Sequence, residues 1–369
     1  MVLPRRSLVL AVACLGLTAV VYSGALRNPF VYEDANNSLT VAPLAPTAAL
    51  RQFVDLSTGA WNRFMVRQVV GLSYRWGNGA PWAYHLMNVV LHLLNGVLVY
   101  WLFTRMKVPA PLPLLSMYIF LLHALGSEAV LYAVEVAEVL ATTWLLLACV
   151  ALTYRTPWRG GIALLCYGGA LLTKVSAVSG IGLLCMVYWD YAPRSRRWER
   201  WSLGLGSAGL ALGFALVVLH RVAIDPAQQS TFSPLQFVAW QATALCRYVV
   251  LFLVPYGQSL DHDFEVVPYL WQLIALGTLL LGGLVWTFLW IAPRFHYTDR
   301  RMEYALWGVL WAAVDLVPRF LMRVTEAINE HQMYRPMIGW ALTAAVCCSW
   351  CLPYLQPAGY ADVSFLKES

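Results

Sequence analysis

In this chain of 369 residues, 60% are apolar and 12% charged; soluble domains average about 25% charged residues. Apolar runs of roughly 17–25 residues, enough to cross a bilayer as a helix, cover nearly the whole length and leave no room in it for a separate soluble domain. The expectation is an all-α polytopic membrane protein forming a single unit, 1–369, and the formal charge of +6 fits basic cytoplasmic loops and gives no reason to expect a nucleic-acid partner.

The first element is "MVLPRRSLVLAVACLGLTAVVYSGA". Two arginines, an apolar core and small residues would suit a cleaved signal peptide. The apolar run continues for about nineteen residues, however, which is long enough to span, and a retained first helix over 7–25 is expected. Further spans are predicted at 83–104, 108–124, 127–153, 160–173, 176–190, 201–220, 268–291, 303–320 and 337–354. The run 235–255 holds Gln236, Gln241 and Arg247. If it lies at the interface or re-enters, the basic clusters Arg5/Arg6, Arg105/Lys107, Arg155/Arg159, Arg194–Arg200 and Arg294–Arg301 all fall on one side, the cytoplasm, with about ten spans. If it crosses, the count is about eleven and the basic segment "PRFHYTDRR" faces outside, against the positive-inside rule. The ten-span topology sends 26–82, 221–267 and 321–336 to the extracytoplasmic face, and loops that long are commonly functional. The first of them has apolar stretches that read as interfacial helices. The eight cysteines form no disulfide or zinc pattern. Most sit singly in apolar runs, and Cys347, Cys348 and Cys351 have no histidine close by.

Ionisable groups inside a bilayer are costly and commonly mark a functional cavity. On 83–104, His85, Asn88, His92 and Asn95 recur every three or four residues and share one helix face. On 127–153, Glu128, Glu135 and Glu138 share a face with Tyr132 between them, and in one continuous helix Glu138 would lie about 15 Å beyond Glu128. Hydrogen bonds that glue a bundle together would also explain such stripes. Arg67, Arg75, Lys174, Arg247, Arg319, Arg323, His331 and Arg335 are the complementary cations. Any one of them could snorkel to headgroups, but several converging on one face suit a phosphate group, whose geometry an Arg fork matches. The loop after the first span reads "NPFVYEDANNS". Its adjacent Glu33 and Asp34 could form a solvated loop, a helix cap or a general base poised against a hydroxyl.

The order of these segments resembles the GT-C superfamily of membrane glycosyltransferases. The likeness is to its protein O-mannosyltransferase branch, including the transmembrane and tetratricopeptide-repeat O-mannosyltransferases. The "NPFvyDD…N" block of that branch reads "NPFVYEDANNS" here, and its "RPLt…ls" reads "RQVVGLSYRW" with Arg67. The blocks "YHLMNVVLHLLNGVLVY" (Asn88, His92) and "HALGSEAVLYAVEVAEVL" (His123, Glu128, Glu138) follow. "LTKV" (Lys174), "QATALCRYVVLFLVPYGQSLDHDF" (Arg247, Asp261) and "EHQMYRPMIG" (Glu330, Tyr334, Arg335) complete the series. Glu33 stands where an Asp is usual, Val136 where an Arg is usual and Val175 where a Glu is usual, and the expectation is a bundle without the repeat domain.

The resemblance implies a GT-C-like bundle with extracytoplasmic interfacial helices. Its expected activity is an inverting transfer of sugar from a polyprenyl-phosphate-linked donor to a hydroxyl of a protein or glycan. Asp34 would be the general base, with Glu33 as helper or second candidate. Arg67, Lys174, Arg247 and His331 or Arg335 would hold the lipid phosphate. His123, Glu128 and Glu138 would shape the cavity or hold sugar hydroxyls, and Asn88, His92, Asp261, Glu330 and Tyr334 join the substrate-binding set. No metal and no cofactor besides the donor substrate is expected. The expected partners are the lipid bilayer, the lipid-linked donor and the acceptor; the expected location is a bacterial inner membrane, with the site on the periplasmic side. Two other classes fit the same residues: a transporter or flippase of lipid-linked sugar, and a catalytically inactive membrane partner of GT-C-like fold.

Overall fold

The computed structural model describes residues 5–31, 34, 63–191, 204–213, 234–259, 301–321 and 329–351. All regular structure among them is helical. The α-helices are α1 (Arg5–Tyr22), α2 (Phe64–Gly77), α3 (Pro81–Arg105), α4 (Leu112–Leu122), α5 (Ser127–Leu131), α6 (Val136–Leu152), α7 (Arg159–Leu171), α8 (Gly180–Tyr191), α9 (Gly204–Gly213), α10 (Pro234–Leu253), α11 (Arg301–Leu321) and α12 (Pro336–Cys351). Short 3₁₀ turns at Ser23–Arg27, Ala124–Gly126, Ala133–Glu135, Val175–Ser179 and Glu330–Met333 join or extend them.

Local sequence explains several boundaries. Pro81 opens α3 at a position where a missing N–H costs nothing. Asn78 and Gly79 close α2 in the left-handed region, with φ of 49° and 81°. Among the described residues, three helical stretches are long and apolar enough to cross a membrane: Ser7–Arg27, Pro81–Arg105 and Ala133–Leu152. Leu112–Leu122 and Ala124–Leu131, bent by 56°, make a fourth if counted as one broken span. The chain is an all-helical, polytopic membrane protein.

The helices differ in how they meet lipid. α6 is apolar and enclosed nearly all round, which marks the centre of the bundle, whereas α1 exposes Leu8, Val9, Val12, Val20 and Val21 on its outer side. α6 packs on α3 and α7, α4 lies between α3 and α12, and α11 packs along α12. The contact of α11 with α12 is made by backbone. A Cβ on Gly339 would run into the carbonyl oxygen of Gly308, and one on Gly308 into that of Gly339.

One expectation is corrected. The stretch 127–153 is not a single straight helix: α5 ends at Leu131, Tyr132 is extended at φ −91° and ψ 117°, and the chain resumes helical structure at Ala133. Glu128 and Glu138 therefore do not lie along one continuous helix face. The run 235–255 forms the helix α10, and α2 supplies a helix within the loop 26–82. The predicted span 268–291 lies outside the described residues, as does 201–220 apart from α9.

Candidate active site

The break at Tyr132 frees backbone groups, and two distant side chains satisfy them. Asn88 Nδ2 of α3 donates to Tyr132 O at 3.0 Å. The Val134 N–H donates to Asp34 Oδ1 at 2.8 Å, and the Val31 N–H reaches Asp34 Oδ2 at 3.3 Å. The Asp34 carboxylate thus sits at the N-terminal end of the helical stretch Ala133–Leu152, where unpaired N–H groups favour negative charge. It is fully enclosed. Burial raises its pKa above the ordinary carboxylate value, against the opposing pull of the Val31 and Val134 N–H groups and of His85. The Ala133 N–H also favours the ionised carboxylate.

On the other side of the break lies a chain of buried and half-buried ionisable groups. Lys174 Nζ stands 2.9 Å from Glu135 Oε2 and 2.7 Å from Glu138 Oε2. Arg335 Nε stands 2.8 Å from Glu138 Oε1 and 3.3 Å from Asp315 Oδ2, while its Nη2 donates to Ser176 Oγ at 2.9 Å. Ser179 Oγ donates to Asp315 Oδ1 at 2.5 Å. Glu128 accepts from the His331 N–H at 2.8 Å and lies 2.7 Å from His331 Nδ1; His331 Nε2 is 3.6 Å from Glu135 Oε1. Glu128, Glu135 and Glu138, separated by the broken helix, are reunited through His331 and Lys174.

A neutral network backs this cluster. His92 Nε2 bonds Leu121 O at 3.1 Å, so the tautomer carrying its proton there leaves Nδ1 to accept from the Tyr334 hydroxyl at 2.7 Å. Asn95 Nδ2 donates to Val139 O and to Tyr334 Oη, and Thr143 Oγ1 donates to Asn95 Oδ1. His92 and Asn95 thus tie α3 to α4, α6 and the residue before Arg335.

Other predicted site residues lie around this centre. His123 bonds Phe252 O at 2.8 Å and stacks on that ring, centroids 4.6 Å apart. Glu330 Oε1 accepts from the Ser259 N–H at 3.0 Å. Arg247 Nη2 donates to Gly257 O at 3.0 Å. Arg67 lies exposed on α2. Of the cations expected at the phosphate, the structure gathers Lys174, His331 and Arg335 and binds each to carboxylates. Glu33 and Asp261 lie outside the described residues.

Sequence reasoning passed over Asp315, Ser176 and Ser179. Asp315 carried the same signal as the glutamates, an acid alone in an apolar run. The serines carried none, because their role depends on where the turn Val175–Ser179 is folded.

Two curated proteins are similar to the chain. Protein O-mannosyl-transferase Tmtc2 of Drosophila melanogaster is 26% identical over 289 residues, which cover 69% of this chain and 30% of the relative. Protein O-mannosyl-transferase Tmtc1 of the same species is 31% identical over 350 residues, covering 82% of this chain and 40% of the relative. The chain spans well under half the length of these relatives. No family model and no solved structure matches it. The chain is related in sequence to the protein O-mannosyl-transferases, the branch of the GT-C superfamily that its ordered motifs resemble.

Proposed function

We propose that the chain is a glycosyltransferase that moves a sugar, mannose by analogy with its relatives, from a polyprenyl-phosphate-linked donor to a hydroxyl of a protein acceptor. Asp34 is the general base, and the site faces the extracytoplasmic side. The observation that carries this reading is the likeness to two O-mannosyl-transferases over 69% and 82% of the chain. The setting of Asp34 supports it, since a buried carboxylate with a raised pKa suits the removal of a hydroxyl proton.

In the proposed reaction Asp34 takes the acceptor proton while the acceptor oxygen attacks the anomeric carbon, with inversion. The bond from that carbon to the phosphate oxygen breaks, and its electron pair stays on the phosphate. Lys174 and Arg335 are the groups for that charge. Lys174 has three N–H donors, and Glu135 and Glu138 engage two of them. Arg335 Nη1 makes no hydrogen bond. One ammonium N–H and one guanidinium nitrogen are thus left for phosphate oxygens. The carboxylates hold the two cations in place before the donor arrives, a form of electrostatic preorganisation.

The test is transfer of labelled mannose from a polyprenyl-phosphate donor to a hydroxyl-bearing peptide by the purified chain in liposomes. Asp34→Asn is expected to lower transfer by about 10²–10⁴-fold without unfolding the protein. Normal transfer by Asp34→Asn would sink the base assignment. A wild-type chain that moves donor across the bilayer without transferring it is a transporter, and one that does neither is a non-catalytic partner. An Asp263→Cys variant tests the sidedness: labelling by an impermeant reagent is expected from outside, and labelling from inside alone overturns the topology.

A further inference from the structure

Around the turn Val175–Ser179, Lys174 and Arg335 face Glu135, Glu138 and Asp315. Glu138 already gives Arg335 a counter-charge at 2.8 Å, so Asp315 is the carboxylate in excess. It is buried, and its Oδ2 makes no hydrogen bond among the described residues. A buried charge is costly, and neutralising Arg335 does not account for this one.

Its placement does. Ser179 Oγ donates to Asp315 Oδ1 at 2.5 Å, and Oδ2 lies 3.3 Å from Arg335 Nε. Trp311, one turn earlier on α11, donates through Nε1 to the Arg335 carbonyl oxygen at 3.3 Å. Residues four apart share a helix face, so one face of α11 holds Arg335 by its main chain and by its side chain. Ser176 takes Nη2 at 2.9 Å. Both the Nε and the Nη2 side of the guanidinium are thus occupied. Nη1 makes no hydrogen bond among the described residues, although Arg335 is buried. A buried donor without an acceptor is uncommon in a folded protein and asks for a reason.

We propose that Asp315 is a positioning residue for the phosphate site: with Ser176 and Trp311 it sets the plane of the Arg335 guanidinium and so directs Nη1 at the donor phosphate. This rests on the reading of Arg335 as a phosphate-binding group. A planar guanidinium gains from a phosphate only when its N–H groups point at the oxygens. Without Asp315 the Nε side is held by Glu138 alone, and the guanidinium can turn about that contact. Lys174 directly precedes the same turn, so Ser176 and Ser179 tie Arg335 and Asp315 to the segment that carries the second cation. Charge by itself predicts the opposite effect. A carboxylate near an anion repels it, so taking the charge away would tighten phosphate binding, whereas loss of a positioning group weakens it.

The experiment is the affinity of the purified full chain, in lipid nanodiscs, for a polyprenyl phosphate, the donor without its sugar. The variants are Asp315→Asn and Ser179→Ala. The first keeps the side-chain shape and an oxygen for Ser179, and leaves Arg335 its counter-charge on Glu138. The second keeps the Asp315 charge and removes the hydrogen bond that fixes it. In either variant that melts like the wild type, affinity is expected to fall by about tenfold, within the coupling found between members of one ion-pair network. Affinity unchanged or raised overturns the proposal. So does a melting temperature lost in both variants, since Asp315 is then structural. The double variant Arg335→Met/Asp315→Asn separates the two ideas. If it binds the polyprenyl phosphate like the wild type, the phosphate reading of Arg335 itself fails. If it binds weakly while Asp315→Asn binds as tightly as the wild type, only the role of Asp315 fails.

Discussion

Arg335 Nε and Glu138 Oε1 lie 2.8 Å apart, and the two side chains are 4% and 1% exposed. Arg335 also faces Asp315, so the loss of its charge strands the buried Asp315 carboxylate and leaves Glu138 with Lys174 alone. Removing one partner of a buried pair costs about 3–5 kcal/mol, mostly as the penalty on the charge left behind. Arg335→Met should therefore lower stability by about that amount in thermal melts in lipid nanodiscs. Adding Asp315→Asn should recover most of the loss, because the stranded charge is then gone. A melt unchanged by Arg335→Met would mean that the pair does not hold the bundle together.

Arg67 is the opposite case. It stands exposed on α2, and surface substitutions away from special features usually change stability by less than about 0.5 kcal/mol. Arg67→Ala is expected to melt like the wild type. If this cation meets the donor phosphate, its loss raises the donor KM by about tenfold with little change in stability. A donor KM unchanged from wild type removes Arg67 from the phosphate site.

These two arginines show what could be read without a structure. Composition and the long apolar runs gave the helical membrane class, because the bilayer admits few other solutions. Costly intramembrane acids pointed to Glu128 and Glu138 by the same reasoning. The partners of those acids were hidden, since Lys174, His331 and Arg335 reach them from elements far along the chain. The break at Tyr132 was hidden for a related reason. Neither Pro nor Gly marks that residue; the break is compensated by Asn88 and Asp34, 44 and 100 residues away from the groups they bond. Helical periodicity carries no record of such tertiary partners. The adjacent acids of "NPFVYEDANNS" left a base and a cap as separate readings, and Asp34 caps a helix that begins about a hundred residues later.

That cap has a consequence for pH. Burial, more than any other influence, lifts the Asp34 carboxyl above its ordinary value of 3.8. A group with a higher pKa in the folded state binds its proton more tightly there. Its contribution to stability is full below 3.8 and is lost as pH rises through the raised value. The proposed catalysis runs the other way, because only the ionised form is a base. The acid limb of kcat/KM should therefore lie above 3.8, with activity falling as pH drops through it. Over the same window the melting temperature of the wild type should fall relative to that of Asp34→Asn as pH rises. Parallel melting curves across that window would show that burial does not perturb this carboxyl.

The contact of α11 with α12 can be tested without reference to the proposed chemistry. At Gly339 a Cβ would collide with the backbone oxygen of Gly308 and would also lie 3.0 Å from Trp311 Cβ. Backbone atoms cannot rotate out of the way, so Gly339→Ala must push the two helices apart. Apart from the turn Glu330–Met333, α12 follows Arg335 directly, and α11 carries Asp315. Separation would therefore also pull Arg335 from Asp315. Overpacking of this kind costs about 1–3 kcal/mol, and both the melting temperature and the transfer rate should drop. Gly16→Ala is the control, because the space beside Gly16 on the outer helix α1 is open. It should leave both quantities unchanged, and equal losses in the two variants would show that the close approach of Gly308 and Gly339 does not set the spacing of α11 and α12.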